Sequence, residues 1–425
     1  MRVATERLPG VRSVALGFWM DTGSTVERDE QAGISHLLEH MLFRGTERFG
    51  SEEIDQIFDA LGAEINAGTD KEATSLYTRV LDGHVARAFE VMSDMVWEPR
   101  FGELEAEREV VLEEIAMYED DPQDRVFDIL SRAIFGTHPL GRPVIGSAEV
   151  VGNVTREALR AFHRERYLPE RVVIAAAGSI EHERLVELAA AAVPERTAPA
   201  DTAALETAPP PADSEQRVRF LEKETEQFHV CIGGLGITRH DERRFALRVL
   251  EGVLGGTTSS RLFQEVRERR GLAYSVFSFS NLFARSGEFG LYLGTRPENL
   301  PAAVEVVAAE LARFLEDPAS DAEIERSREN LKGRMMLGLE STGARMSRLG
   351  GSLLAGLPLL SLGELIERVD AVSVEDLRAL AAELIAPERL SVVAVGPDAA
   401  RFHDAIAPLL GGRETVIAKA AEASA

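Results

Sequence analysis

The sequence predicts an α+β protein made of two homologous halves, each a mostly antiparallel sheet with helices packed on it. Three observations carry this. Strand-like runs come in adjacent pairs, as in Glu64 to Asn66 with Thr74 to Val80, which favours antiparallel pairing. The run from His36 to Thr46 aligns with Arg248 to Thr258 at an offset of 212 residues, half the chain. A polar, proline-rich stretch from Thr197 to Glu215, with Pro209-Pro210-Pro211, separates the copies and suits an exposed connection. The predicted division is a first domain over 1–198, a linker over 199–214 and a second domain over 215–425.

The elements follow in order. Val11 to Met20 reads as a strand after the turn at Pro9-Gly10. A helix of about ten residues follows Ser35, a candidate N-cap behind Gly33. Leu37, Leu38, Met41 and Leu42 form its apolar stripe, and Gly45 is its stop. A second helix, a strand pair and a long helix over Val85 to Val96 come next. Phe101 to Asp124 reads as helical and acidic. Arg171 to Ala177 is an apolar strand. The second copy repeats the series, with strands at Phe228 to Gly233 and Gly287 to Gly294, helices over Ser260 to Arg270 and Leu300 to Leu315, and a strand at Arg389 to Val395. Leu38, Glu39 and Leu42 recur as Leu250, Glu251 and Leu254, whereas His36 pairs with Arg248 and His40 with Gly252.

Composition narrows the class. With 425 residues, 45% of them apolar, the chain can bury two cores. A net charge of −24 argues against nucleic acid, whose phosphates demand basic patches, and against anionic membrane surfaces. Cys231 is the one cysteine and sits in an apolar run, so no disulfide framework forms within the chain, which fits a reducing compartment. Met1 to Gly10 lacks the pattern of a targeting segment, and no apolar run approaches the ~20 residues needed to span a bilayer. The expectation is a soluble, cytoplasmic protein. The Gly-rich stretches near Gly255 and Gly350 lack the Lys-Ser/Thr of a P-loop.

The chemistry is concentrated in His36-Leu37-Leu38-Glu39-His40. Residues four apart on a helix leave the same face one turn apart. Two imidazoles at that spacing can share one Zn²⁺. Glu39 projects off that axis, close to the metal but poorly placed to ligate, where a carboxylate can take a proton from water. The H-x-x-E-H order points to metal-assisted hydrolysis. A catalytic zinc usually takes a third protein ligand, and the acidic helix after Phe101 is the candidate donor, the competing reading being a solvated acidic helix with one snorkelling Glu. Val110, Val111, Glu114, Ile115 and Tyr118 fall near one face of it, which makes Glu114 a carboxylate in need of a partner.

These residues resemble the pitrilysin and mitochondrial-processing-peptidase family of zinc metallopeptidases, the inverzincins. The HxxEH motif is followed by Glu107-Arg108-Glu109-Val110-Val111-Leu112-Glu113-Glu114, which is similar to the family's downstream glutamate segment. Asn66-Ala67-Gly68-Thr69 and Gly271-Leu272-Ala273-Tyr274 match further segments. The likeness covers nearly the whole chain and is strongest to short bacterial processing-peptidase-like members. It implies one Zn²⁺ per chain held by His36, His40 and Glu114, with Glu39 as base and Glu107 as a second acidic residue required for full activity. It implies that Arg267 and Tyr274 of the second half contact substrate and stabilise the tetrahedral intermediate. It further implies that the two halves face each other around a peptide chamber, that peptides bind as an extended strand, and that the protein is a homodimer. The alternative is a non-catalytic or heterodimer-dependent subunit of a processing-peptidase-like complex.

Overall fold

The computed structural model describes residues 1–194, 196, 210 and 217–410. The expected linker over 199–214 lies outside the described residues except for Pro210. The chain forms two compact units. One comprises Met1–Ala116, Arg142–Thr207 and Met336–Leu359; the other comprises Met117–Gly141, Ala208–Met335 and Leu360–Ala425.

The first unit holds strands β1 (Arg2–Arg7), β2 (Ser13–Met20), β3 (Ile65–Thr69), β4 (Thr74–Leu81) and β5 (Val172–Gly178). Their order across the sheet is β1-β5-β2-β4-β3. β1 pairs with β5 in parallel, from Arg2 beside Val173 to Arg7 beside Gly178. Every other pairing is antiparallel. The β2 strand alternates Val14, Leu16, Phe18 and Met20 into a fully buried face, the period of two that fixes its register. Helices α1 (Ile34–Leu42) and α2 (Ser51–Leu61) lie between β2 and β3 in sequence, and α3 (Val85–Trp97) and α4 (Leu104–Asp120) between β4 and β5. The acidic stretch is therefore not one helix to Asp124. Asp121 caps a new helix by accepting from the Gln123 and Asp124 amides.

The second unit repeats the plan with β6 (Val218–Glu222), β7 (Phe228–Gly236), β8 (Ala273–Leu282), β9 (Gly287–Thr295) and β10 (Ser391–Gly396). Their order is β6-β10-β7-β9-β8, with β6 and β10 parallel and the rest antiparallel. The parallel edge strand of each sheet, β1 and β6, is the element that apolar patterning did not single out. Cys231 lies buried on β7 as a core thiol, and burial pushes it well above the ordinary thiol range.

Neither unit is a contiguous half of the sequence. The helix α5 (Pro122–Phe135) packs on β7 and β10 in the second unit. There Phe127 stacks with Phe277 and Tyr292 and meets Phe279 edge-on. The helix Thr342–Leu354 packs on β2 and β5 in the first unit. A Cβ on its Gly350 would sit 2.3 Å from the Trp19 ring, so glycine lets that helix approach the sheet. This exchange explains why β5 and β10 are buried along their whole length. Each of these two interior strands is buried on both faces, and one cover comes from the other copy.

The copies also share a structural arginine. Arg108 on α4 donates to the Val154 carbonyl at 2.6 Å, just before the Thr155 cap of the helix Arg156–Arg166. Arg328, on the helix Asp321–Gly338, donates to the Val372 carbonyl, just before the Ser373 cap of the helix Val374–Leu384. With those arginines matched, buried Leu104 corresponds to buried Ile324, Glu107 to Ser327 and Glu114 to Arg334.

Candidate metal centre

The helix α1 begins without a side-chain cap of its own. Ser35 is not the N-cap; Gly33 is, in a left-handed conformation at φ 95°. A Cβ there would meet the Ile145 carbonyl at 2.7 Å, so glycine is needed for both dihedral and space. The orphan amides find a carboxylate from an earlier loop. Glu27 accepts from the Gly33 amide at 2.9 Å and from the Ser35 amide at 2.8 Å. A buried anion at a helix N-terminus is favoured by the exposed N–H groups and the dipole. Arg142 supports it by donating to the Glu27 carbonyl at 2.7 Å. Burial still pushes the Glu27 carboxyl up to about 7.

One turn on, His36 and His40 leave the same face, with ring centroids 4.7 Å apart. Glu114 of α4 closes the group. One of its oxygens is 3.7 Å from His36 Nε2 and the other 3.3 Å from His40 Nε2. Ligand atoms of all three residues lie within 4.8 Å of one another. Nitrogen and oxygen ligands around tetrahedral zinc stand about 3.4 Å apart, given bonds near 2 Å. The donor set and spacing therefore fit zinc.

The protonation pattern fits too. Burial, and then His40, push the His36 imidazole down to about 4, so it stays neutral and able to ligate. His36 Nδ1 is buried without a hydrogen-bond partner. His40 Nδ1 lies 2.8 Å from Glu107 Oε1, which leaves Nε2 turned to Glu114. A carboxylate behind a ligating imidazole orients the ring and raises its basicity. Glu39 stands outside the ligand cluster. Burial raises its carboxyl, opposed by hydrogen bonds from Thr69, the last residue of β3. A carboxylate raised by burial and standing outside the cluster is suited to carry protons.

The structure brings Glu114 to the two histidines, but not on the face the sequence suggested. Of the neighbours expected around Glu114, Val111 and Ile115 are buried, but Val110 is 49% exposed and the Glu114 side chain 45%. The buried stripe of α4 is Leu104, Glu107, Val111 and Ile115. Glu107, 3% exposed, is the carboxylate that needed a partner. It has two, His40 and the Arg44 guanidinium. Sequence reasoning missed Arg44 and Glu27. Arg44 stands four residues after His40, a readable signal, whereas Glu27 reaches α1 through a loop that leaves no pattern.

In the second unit Arg267 and Tyr274 come together. The guanidinium lies 4.5 Å from the Tyr274 ring centroid and 4.7 Å from that of Phe263. Arg267 belongs to a π-helical stretch, Phe263–Glu268, rather than to a regular helix running to Arg270. Tyr274, at the start of β8, is 77% exposed, so its ring and hydroxyl are open to solvent or ligand.

Comparison with known proteins gives a consistent picture. Residues 2–148 match the family model described as insulinase (peptidase family M16), and residues 153–331 match the peptidase M16 inactive domain. An uncharacterized zinc protease of Streptomyces coelicolor is 42% identical over 417 residues, covering 96% of this chain and 91% of that protein. A probable mitochondrial-processing peptidase subunit beta of Arabidopsis thaliana is 30% identical, covering 93% of this chain and 77% of that one. Among solved structures, a peptidase M16 inactive domain from Pseudomonas fluorescens superposes with a TM-score of 0.84 at 26% identity, over 93% of this chain and 95% of that one. A Helicobacter pylori protease shares the fold at a TM-score of 0.87 and 22% identity, over 93% and 96%. Likeness of this extent to zinc proteases, carried along nearly the full length of the chain, shows that it belongs to peptidase family M16.

Proposed function

We propose that this protein is a zinc-dependent endopeptidase that hydrolyses peptides or unfolded segments bound as an extended strand. The observation that carries this is the convergence of His36, His40 and Glu114 within 4.8 Å beside a Glu39 whose carboxyl is raised by burial. Those three residues would hold one Zn²⁺ per chain. Bound there, zinc would supply Lewis acidity for activating water and polarising a carbonyl. The chain's own residues do the rest. Glu39 takes a proton from the attacking water and hands it to the leaving amine. Glu107 holds the His40 ring through Nδ1. β3 is the edge of its sheet and, among the described residues, pairs with no strand but β4. That edge offers a substrate backbone a strand to extend; Asn66 and Gly68 are its exposed positions, and the Ala67 amide, which now donates to Asn66 Oδ1 at 2.9 Å, would exchange partners.

Arg267 and Tyr274 complete the reading as donors to the developing oxyanion. Their support is the family resemblance and the stacking that holds them together. Tyr274→Phe should then lower kcat more than it raises KM, because an oxyanion contact acts mainly in the transition state. The homodimer and the cytoplasmic location belong to the same proposal. Among the described residues no helix is long and apolar enough to cross a membrane. The alternative of a non-catalytic or heterodimer-dependent subunit is disfavoured by the intact set His36, Glu39, His40, Glu107 and Glu114.

The test is the zinc content of purified protein, with turnover of a quenched fluorogenic peptide before and after chelation. About one zinc per chain, loss of turnover on chelation and recovery with added zinc are expected. Undiminished turnover by metal-free protein, or a zinc-loaded protein that cleaves no peptide, would overturn the assignment.

A further inference from the structure

We propose that Arg44 is a positioning residue of the metal centre, acting through Glu107 on His40. The proposal rests on the zinc reading above. Glu107 is a nearly fully buried carboxylate on the apolar stripe of α4. A carboxylate taken out of water needs partners for both oxygens. Oε1 faces His40 Nδ1 at 2.8 Å, and Oε2 ion-pairs with Arg44 Nε. Held by one oxygen alone, the carboxylate could turn about its side-chain axis and carry the imidazole with it. Held at both ends, it fixes the ring plane, and with it the direction of the His40 Nε2 lone pair toward Glu114. The Arg44 side chain is 36% exposed, so its outer edge remains in water while Nε meets the buried anion.

The duplicated unit offers a control within the same chain. There the scaffold contacts persist, since Arg328 repeats the bond that Arg108 makes. The residues of the metal centre are replaced together. His36 becomes Arg248, His40 becomes Gly252, Arg44 becomes Gly256, Glu107 becomes Ser327 and Glu114 becomes Arg334. Ser327 keeps the place of Glu107 and fills it differently, donating its hydroxyl to the Val249 carbonyl at 3.0 Å. A residue needed by the fold would survive in both copies, as Arg108 and Arg328 do. Arg44 vanishes with the ligands and with Glu107, which assigns it to the site.

The experiment uses the full chain and reads zinc affinity by chelator competition, together with the melting temperature of the metal-free protein. Arg44→Met should weaken zinc binding about tenfold, the lower range for groups behind a metal ligand. Arg44→Lys should recover most of the loss, because a single cation suffices to meet Oε2. In a Glu107→Gln background Arg44→Met should add little, since the two act as one unit. Wild-type affinity in Arg44→Met, with weakened binding in Glu107→Gln, would overturn the role of Arg44 and leave the metal site standing. Fully additive losses, or a lowered metal-free melting temperature without rescue by lysine, would make Arg44 a residue of the fold. Absence of zinc binding by the wild type would remove the metal reading, and this proposal with it.

Discussion

Glu39 on α1 and Glu251 on the helix Arg244–Leu254 occupy the same position in the two copies, and burial raises both carboxyls. In each copy a hydroxyl residue of the sheet's edge strand opposes that rise, Thr69 on β3 and Ser280 on β8. Their neighbours differ. Glu39 is followed by His40 and faces a ligand cluster. Glu251 ion-pairs with Arg248 at 3.0 Å, the residue standing where His36 stands in the first copy. A buried, pKa-shifted carboxylate is thus a property of this fold. What turns one copy into a candidate catalytic base is the set of ligands beside it. A raised carboxyl alone would have marked both copies.

The comparison is broken most directly by two matched substitutions. Glu39→Gln should keep zinc and lower kcat about a thousandfold, the usual scale for a removed general base. Glu251→Gln should leave peptide hydrolysis within about twofold, as expected of an ionisable group that contacts no substrate. Steady-state kinetics on one fluorogenic peptide, with zinc content measured in parallel, separates them. Equal losses would mean that Glu251 supports the reaction, and wild-type turnover by Glu39→Gln would sink the mechanism.

A second pair concerns the long helices. Glu114→Gln should weaken zinc binding by about a hundredfold, at least the upper range for groups behind the ligands. Glu109→Gln on the same helix, and Arg334→Gln at the corresponding place in the other copy, should bind zinc normally. Chelator competition reads all three. Normal loading of Glu114→Gln would return the third ligand to another acidic residue of α4.

A third test asks why the second copy cannot simply take the ligands back. At Gly252, the counterpart of His40, a Cβ would lie 2.1 Å from Ser327 Oγ. Gly252→Ala should cost about 1–3 kcal/mol of stability through overpacking. Adding Ser327→Ala should recover much of it, since the hydroxyl is the nearest obstacle. Denaturant midpoints of the single and double variants decide this, and an unperturbed Gly252→Ala would show that the helices part at no cost.

The smallest effect concerns the buried cap of α1. Glu27 has its carboxyl raised to about 7 by burial. A folded-state value above the unfolded one contributes stability that is present in full below about 4.5 and is lost as pH rises through about 7. Glu27→Gln removes that dependence. Melting temperatures of metal-free wild type and variant between pH 4.5 and 8 should therefore differ in slope. Parallel curves would show that the Gly33 and Ser35 amides, with Arg142, keep Glu27 ionised throughout.

Local chemistry was legible in the sequence because helical geometry is local. The step of four residues from His36 to His40 makes one turn wherever the helix goes, so the paired imidazoles and the off-axis Glu39 followed from spacing alone. The duplication was legible because both copies kept the apolar stripe Leu38 and Leu42, or Leu250 and Leu254. β5 and β10 announced themselves as unbroken apolar runs, and the structure shows why, with both faces covered.

What lies between distant segments was decided only in three dimensions. No spacing rule connects Glu27 to the amides of Gly33 and Ser35, since the loop between them has no period. The phase of α4 needed the fold, because acidic residues on both sides of the helix hid which carboxylate was buried. Glu107 proved to be that one, and its pairing with His40 and Arg44 depends on how two helices pack. The exchange of α5 and the helix Thr342–Leu354 between the copies was likewise invisible, because an amphipathic helix records that it must cover an apolar surface but not which sheet provides it.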